Sequence, residues 1–398
     1  MKAVILAGGK STRTYPLTLT RPKPLLKVAN KTIMEHNLEQ LNGIVDEVLI
    51  IVGYKNEMII NYFKNQFKKI KIKYIIQKEQ LGTGHALLLA EPFLKDKFLV
   101  MCGDDFYSKK DIIKLTKYNN ATLVFEKENP KEFGVFIVEN NKIINFIEKP
   151  QDFEIGLCNT SCYILTSKVF DLLKKLKKSP RGEYELTDAV LELIYQNEFK
   201  IVKVKDYWIP ISYSWDLLNA NSHFLKDIKS NIKGIVDKSV KVDGNLILGK
   251  ESVILPGVFI EGNVIIGKNC KIGPNTYIRG PTTIGNNCRI GPSEIKASIF
   301  FDNCRCDHVS CIGDSILGEK VHIGAHTVVA NLRHDGKNHK SLIKNQLIDT
   351  KRRKLGVIFG DNTDTGINTS FYPARKMWPN TFTFPSEVVK EDIIDRKL

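Results

Sequence analysis

Residues 263–291 read NVIIGKNCKIGPNTYIRGPTTIGNNCRIG, and within them a branched aliphatic returns at every sixth position. Followed from further upstream, the rhythm takes in Val236, Val242, Leu248, Ile254, Ile260, Ile266, Ile272, Ile278, Ile284 and Ile290. Glycine follows that aliphatic at Gly249, Gly267, Gly273, Gly285 and Gly291. A six-residue period with a small residue at each corner predicts a parallel β-helix of hexapeptide repeats, three repeats to a triangular coil, with the aliphatics filling the prism. The phase slips after Gly291, resumes at Leu317, Ile323 and Val329, and then breaks at NLRHDGKNHKSLIKNQLIDTKRRK, residues 331–354. Those polar residues cannot fill a core, so the insertion is expected to leave the prism as a loop. The segment FYPARKMWPNTFTFPSEVVKEDI, from Phe371, fits the repeat only loosely.

Upstream the pattern is different. Apolar runs VILA (4–7), EVLIIVG (47–53), IKYIIQ (72–77) and FLVMCGDD (98–105) alternate with helical patterns near 33–42, 55–67 and 83–91. Strands separated by helices of about 10–15 residues predict crossover units, hence an α/β domain with a mainly parallel sheet. In such sheets ligands lie beyond the carboxyl ends of the strands, where LAGGKSTR and CGDD both fall. The expected organisation is an α/β domain over 1–225, a linker over 226–235 and a left-handed parallel β-helix over 236–398.

Bulk properties agree with this plan. At 398 residues the chain exceeds one ordinary core, and its 42% hydrophobic and 26% charged composition is that of a soluble globular protein. The opening MKAVILAGG is too short for a signal peptide and no apolar run reaches the length of a membrane span, so a cytoplasmic protein without membrane partners is expected. Eight cysteines occur without a CxxC pair, which suits reduced thiols used as small core residues; Cys304 and Cys306 are poorly spaced for zinc. The net charge of +15 is spread along the chain. The clusters KIKIK (69–73) and KKLKK (174–178) lie on amphipathic patterns and are taken as solvated faces, which favours anionic small molecules over nucleic acid as partners.

Two sites stand out. In LAGGKSTRTYPLT (6–18), backbone NH groups after the first strand are suited to cradle phosphates, with Arg13 able to meet their charge. RPKP (21–24) holds Lys23 between two prolines, and Asp104 at a strand end is either a Mg²⁺ ligand or a helix cap. With EQLGTGHA (79–86), CGDD, FGV (133–135), EKP (148–150), CNTSCY (158–163) and GEYELTD (182–188), these motifs resemble the sugar-1-phosphate nucleotidylyltransferases, and the uridylyl-transferring members more than the thymidylyl ones. The resemblance implies nucleotide contacts at Leu6, Ala7, Gly8, Gly9, Gln77, Gly82, Thr83 and Gly103, and sugar contacts at Gly134, Glu148 and Asn159. It implies catalytic roles for Arg13 and Lys23, with Asp104 on Mg²⁺. The reaction is in-line attack by a sugar-1-phosphate on the α-phosphorus of UTP or dTTP with release of pyrophosphate, which needs positioning and charge neutralisation but no general base. Three positions depart from the family. Ser11 stands for a glycine and keeps the loop workable at negative φ; Ser161 also stands for a glycine. In YWIPISYSWD (207–216) Pro210 takes the position of the second metal ligand, for which Asp206 or Asp216 substitutes only if the backbone shifts.

The second site lies where the β-helix rhythm breaks. SEIKAS (293–298), CDHVSCIGD (306–314), VHIGAHTVVANLR (321–333), RRKLG and GINTS (366–370) resemble the acetyltransferase half of bifunctional glucosamine-1-phosphate acetyltransferase/uridylyltransferases, in their archaeal form. The resemblance implies His308 as the base that frees the sugar amine to attack acetyl-CoA, Arg279 and Lys296 on the sugar phosphate, and Ala325 and Asn331 near the acetyl-CoA co-substrate. Cys311 replaces a tyrosine, His322 an asparagine, Arg279-Gly280-Pro281 departs from arginine-proline, and Arg279 to Lys296 is one residue short. The function expected is a bifunctional enzyme making a UDP-N-acetylamino sugar of gluco or galacto type. Because one prism usually hides a face by association, a homo-trimer or higher homo-oligomer is expected. Two alternatives stay open: a thymidylyltransferase-type enzyme with one surviving activity, and a non-catalytic regulatory protein of the same two-part plan.

Overall fold

Strand Glu47–Val52 is buried at every position after the first. Its alternate side chains divide between two cores: Val48, Ile50 and Val52 join Ala3, Ile5 and Met101, whereas Leu49 and Ile51 join Val4 and Val100. A strand buried on both faces belongs in a parallel sheet covered on both sides by helices. Lys2–Ala7 pairs in parallel with Glu47–Val52 on one side and Phe98–Cys102 on the other, and Glu47–Val52 pairs in parallel with Ile70–Ile76. The helices Ile33–Leu41, Asn56–Phe63 and Thr83–Leu88 are the crossovers. The second is shorter than the periodicity suggests, because Lys64 adopts φ 54° and turns the chain into the short strand Gln66–Phe67. Antiparallel strands complete the ten-stranded sheet, among them Ile155–Leu165 beside Phe98–Cys102 and Gly134–Glu139 beside Ile155–Leu165. This computed structural model describes residues 1–139 and 142–396. Among them no helix is long and apolar enough to cross a membrane.

The chain packs as two units. One comprises Met1–Lys10, Pro22–Leu25 and Ile33–Pro210; the other comprises Ser11–Arg21, Leu26–Thr32 and Ile211–Leu398. The second therefore contains two short segments from the beginning of the sequence, which nothing in their residue pattern foretells.

The second unit is built on three parallel sheets. Ile260 pairs with Ile278, Ile266 with Ile284 and Ile272 with Ile290, so equivalent residues lie one 18-residue coil apart. This stack is consistent with a left-handed β-helix. The aliphatic column forms its core, with Ile254, Ile260, Ile272, Ile278 and Ile284 fully buried. Val242, at 38% exposure, and Val236, only partly buried, are the exceptions, since both belong to the first coil and have no coil beneath them. At the corners a side chain would collide with the next coil: a Cβ on Gly249 would stand 2.4 Å from the Gly267 carbonyl oxygen. Asparagines at positive φ make a second corner ladder, the Asn269 amide donating to Asn287 and Asn287 to Asn303, each at 3.2 Å.

The phase slip after Gly291 is a shortening of coils. Arg279 still pairs with Lys296 and Ile295 with Ile312, while Ile284 pairs with Phe300 and Ile290 with Cys306. The insertion leaves the prism but is more ordered than a loop: Lys340–Ile343 and Gln346–Asp349 form an antiparallel hairpin, and His339, Ser341 and Ile343 are buried. The loosely patterned C-terminal segment also joins the stack, through Ser370–Phe371, Arg375–Met377 and Val388–Val389. Cys270, Cys288 and Cys304 are buried free thiols donating to the carbonyls of Gly285, Phe301 and Gly318 at 3.1–3.2 Å, which accounts for them as core residues.

Candidate active sites

The first site begins where Lys2–Ala7 and Phe98–Cys102 end. The Gly103 amide donates to the Leu6 carbonyl at 2.9 Å, and the Gly8 carbonyl accepts from the Tyr54 amide at 3.1 Å, so both strand ends open onto one edge of the sheet. Gln77 is buried beside Gly8, and a Cβ on that glycine would stand 2.7 Å from Gln77 Oε1. The Gln77 amide donates to the Gly82 carbonyl at 3.2 Å and meets His85 Nδ1 at 3.1 Å. Gly82, at φ 103°, precedes helix Thr83–Leu88, and the Thr83 hydroxyl accepts from the Leu186 amide at 3.0 Å. Leu6, Ala7, Gly8, Gln77, Gly82, Thr83 and Gly103 are thereby gathered at one end of the sheet.

Lys23 is buried, and its ammonium lies 2.8 Å from the Asp104 carboxylate. Asp104 does not cap a helix: the helix that follows, Lys109–Leu115, is capped by Ser108. The two candidate substitutes for a second carboxylate each hold hydrogen bonds of their own. Asp206 accepts from the Ser108 hydroxyl at 2.7 Å, and Asp216 accepts from the Ser212 and Tyr213 amides at 2.8 Å each. The neighbouring Asp105 accepts from Trp208 Nε1 at 3.2 Å. Among the described residues no group of three His, Cys, Asp or Glu side chains is placed to hold a metal. Asp104 alone fits Mg²⁺ only as an ion that arrives with the nucleotide, since Mg²⁺ is commonly bound by one or two carboxylates together with substrate phosphates.

The residues expected on the sugar side are held by their neighbours. Asn159 is buried, donates to the Tyr163 hydroxyl at 2.5 Å and accepts from the Ser161 amide at 3.0 Å. Ser161 takes φ 57°, the conformation a glycine would take, at an irregularity in strand Ile155–Leu165. A Cβ on Gly134 would strike the Phe146 ring and approach Glu148 Oε2 to 2.9 Å. Arg181, which sequence reasoning missed although it directly precedes GEYELTD, stands 3.6 Å from Glu148 and 2.8 Å from Glu185.

Ser11 has φ 50° and ψ 52°, so the negative φ expected of it is not found. The left-handed conformation costs a non-glycine residue roughly 1 kcal/mol. Its carbonyl accepts from the Thr14 and Thr18 hydroxyls at 2.7 and 2.9 Å and from the Thr14 amide at 3.1 Å, which offsets that strain. Arg13 lies in the short 3-10 turn that follows, exposed, 5.6 Å from the centre of the Tyr213 ring.

The second site lies on one face of the β-helix. In Tyr277–Arg279, Glu294–Lys296 and Cys311–Gly313 the middle residue points inward and is buried, and the flanking residues other than the buried Gly313 are partly exposed. Register then places Arg279 beside Lys296 and Glu294 beside Cys311. The coil that is one residue short between Arg279 and Lys296 therefore does not separate them, because the missing residue comes from the corner. Arg279 is bracketed by Glu261 at 3.5 Å and Glu294 at 3.4 Å. Burial, then the adjacent Lys354, hold the Lys296 ammonium below the usual lysine range. Burial and Glu294 push the Cys311 thiol up, so it stands on this face as a neutral group.

His308 is exposed on the corner leading into this face, and its carbonyl accepts from Ser293 at 2.8 Å. Asn331 donates to the buried Asp314 carboxylate at 2.7 Å, and its carbonyl meets His339 Nε2 at 2.9 Å. Ala325 is at the next corner, its carbonyl accepting from the Asn368 amide at 2.7 Å. His322 lies 3.4 Å from Asp364. Lys354, Asp314 and Arg352 were missed as site residues; the signal available for two of them was the basic RRKLG run at the end of the insertion.

A mainly parallel α/β sheet with a glycine-bearing loop at its strand ends, joined in one chain to a hexapeptide prism, is the plan of a nucleotidyltransferase with a β-helix, and the comparisons agree. Residues 2–227 match the nucleotidyl transferase family, and residues 254–366 match the GMPPB C-terminal domain. The chain belongs to the nucleotidyl transferase family, in its bifunctional form with a β-helix. It is 44% identical to the Bifunctional protein GlmU of Methanococcus maripaludis strain S2, over 99% of this chain and 95% of that one. It is 37% identical to the bifunctional sugar-1-phosphate nucleotidylyltransferase/acetyltransferase of Sulfurisphaera tokodaii, over 99% and 98%. A solved structure described as a glucose-1-phosphate thymidylyltransferase of Bacillus anthracis superposes with a TM-score of 0.53 at 29% identity, covering 58% of this chain and 97% of that one.

Proposed function

We propose that the chain is a bifunctional enzyme that acetylates an amino-sugar-1-phosphate at the expense of acetyl-CoA and transfers a uridylyl group from UTP to the resulting sugar phosphate, releasing pyrophosphate. The observation that carries this reading is that both sites occur in one chain spanning 95% of the GlmU relative's length. At the first site the triphosphate rests on backbone amides after Gly8 and Gly9, and Gln77, Gly82 and Thr83 receive the base. Gly134, Glu148 and Asn159 receive the sugar. The attacking sugar phosphate is already an anion, so the work of the residues is to align it and to neutralise charge on the leaving pyrophosphate. Arg13 and Lys23 do this, and Lys23 must pass from Asp104 to phosphate when the nucleotide enters. Mg²⁺ would be held by Asp104 and would supply further neutralisation of the phosphate charge. At the second site Arg279 and Lys296 hold the sugar phosphate, His308 takes a proton from the sugar ammonium so that nitrogen can attack the thioester, and Ala325 and Asn331 border acetyl-CoA. Assembly as a homo-trimer or higher homo-oligomer and a cytoplasmic location belong to the same proposal.

With UTP, Mg²⁺ and N-acetylglucosamine-1-phosphate the purified protein releases pyrophosphate; with acetyl-CoA and glucosamine-1-phosphate it releases free thiol. Absence of both products across several nucleotides and sugars overturns the enzymatic reading. Galactosamine-1-phosphate and dTTP run in parallel distinguish the sugar and the base. The hydrogen bonds that occupy Asp206 and Asp216 favour one second reading, an enzyme retaining acetyl transfer alone, for which thiol release without pyrophosphate release is the signature.

A further inference from the structure

Register stacks Ile284, Phe300, Leu317 and Phe359 in successive coils, so the residues two places on, Asn286, Asp302, Glu319 and Asp361, form a column along one corner of the β-helix. Three stacked carboxylates repel one another unless something meets them. What meets them is the early segment of the chain that packs in the same unit. Arg21 donates to Asp361 at 2.5 Å and to Glu319 at 3.0 Å, Thr20 donates to Asp361 at 2.6 Å, and Lys27 reaches Asp302 at 2.6 Å. Arg21 is only 7% exposed and lies over the Phe301 ring at 5.4 Å. A buried ion pair is poor value for stability alone, because desolvation offsets most of its attraction; what it secures best is a unique geometry.

The segment so fastened is the one that carries Arg13. From Ser11 to Arg21 it is two 3-10 turns, Thr12–Thr14 and Leu17–Leu19, tied by Thr14 and Thr18 to the Ser11 carbonyl and closed by Thr20 and Arg21 on Asp361. Arg21 also stands two residues before Lys23. We infer that Asp361, with Glu319, is a positioning residue for nucleotidyl transfer: the β-helix corner, through Arg21, sets where the phosphate-binding arginine stands. This inference rests on the uridylyl-transfer reading above.

The test compares wild type with Asp361→Asn, using both reactions in the full-length protein. The expected result is a kcat/KM for pyrophosphate release roughly 10–100-fold lower, with thiol release unchanged as a measure of the intact β-helix. Thr20→Val, which leaves every charge in place, moves the same quantity the same way by less. In an Arg13→Ala background Asp361→Asn adds nothing further, because the residue it positions is gone. Wild-type pyrophosphate release by Asp361→Asn overturns the inference, as does equal loss of both reactions or an effect undiminished on Arg13→Ala. A wild-type protein that releases thiol but no pyrophosphate overturns the uridylyl reading and this inference together.

Discussion

Ser11 at φ 50° shows how a single position reads differently in sequence and in space. As a residue type it allows negative φ; the two threonine hydroxyls and one amide on its carbonyl select the left-handed turn instead. Ser11→Gly is therefore expected to change stability by no more than about 1 kcal/mol in denaturant unfolding and to leave pyrophosphate release intact. His308 gives the opposite expectation: His308→Ala lowers thiol release by about 10²–10⁴-fold while pyrophosphate release is unaffected. Lys296 carries a pH signature. Because burial and Lys354 hold its pKa down, it loses its proton at lower pH than an ordinary lysine. The KM for glucosamine-1-phosphate in thiol release should accordingly rise as the medium is made alkaline, ahead of the ordinary lysine range, and Lys296→Arg should flatten that rise. None of these environments is legible from residue type, since each depends on groups distant in sequence.

Among elements, the β-helix strands are the most legible, because a six-residue period in side-chain burial is imposed by the coil itself. Its corners depend equally on residue size: Gly267 faces the Gly285 carbonyl, 2.5 Å from where a Cβ would be. Gly267→Ala should destabilise the protein by more than the roughly 1 kcal/mol that glycine replacement commonly gains or loses, read from the denaturant midpoint. The hairpin within the insertion was missed for a physical reason. Its residues bury only Ser341 and Ile343 on one side of Lys340–Ile343, too few to write a period into the sequence. The contact of Lys27 with Asp302 has its own acid signature. Burial alone would raise the Asp302 pKa, but Lys27 and Asn286 bring it below the usual carboxylate range. A carboxylate depressed on folding contributes stability above its unfolded pKa and loses it as pH falls through the folded one. Acid should thus weaken the wild type beneath the ordinary carboxylate range, and Lys27→Met should remove part of that dependence.

For the whole molecule, the proposed assembly is a homo-trimer or a higher homo-oligomer, and light scattering reporting three or more chain masses checks it; a monomer at micromolar concentration counts against it. The sequence by itself determined the two architectures and proposed where the two sites lie on them. It could do so because hexad periodicity, strand and helix alternation, and glycine-rich turns are local consequences of backbone geometry. Tertiary structure alone decided which charges meet. It placed Lys23 on Asp104, bound Asp206 to Ser108 and Asp216 to the Ser212 and Tyr213 amides, kept Arg279 beside Lys296 across a shortened coil, and seated Arg21 on a column of carboxylates assembled from separate coils. Ion pairs and register depend on distances closed through space, with coil lengths and buried neighbours selecting the partners, and no period in the chain encodes them.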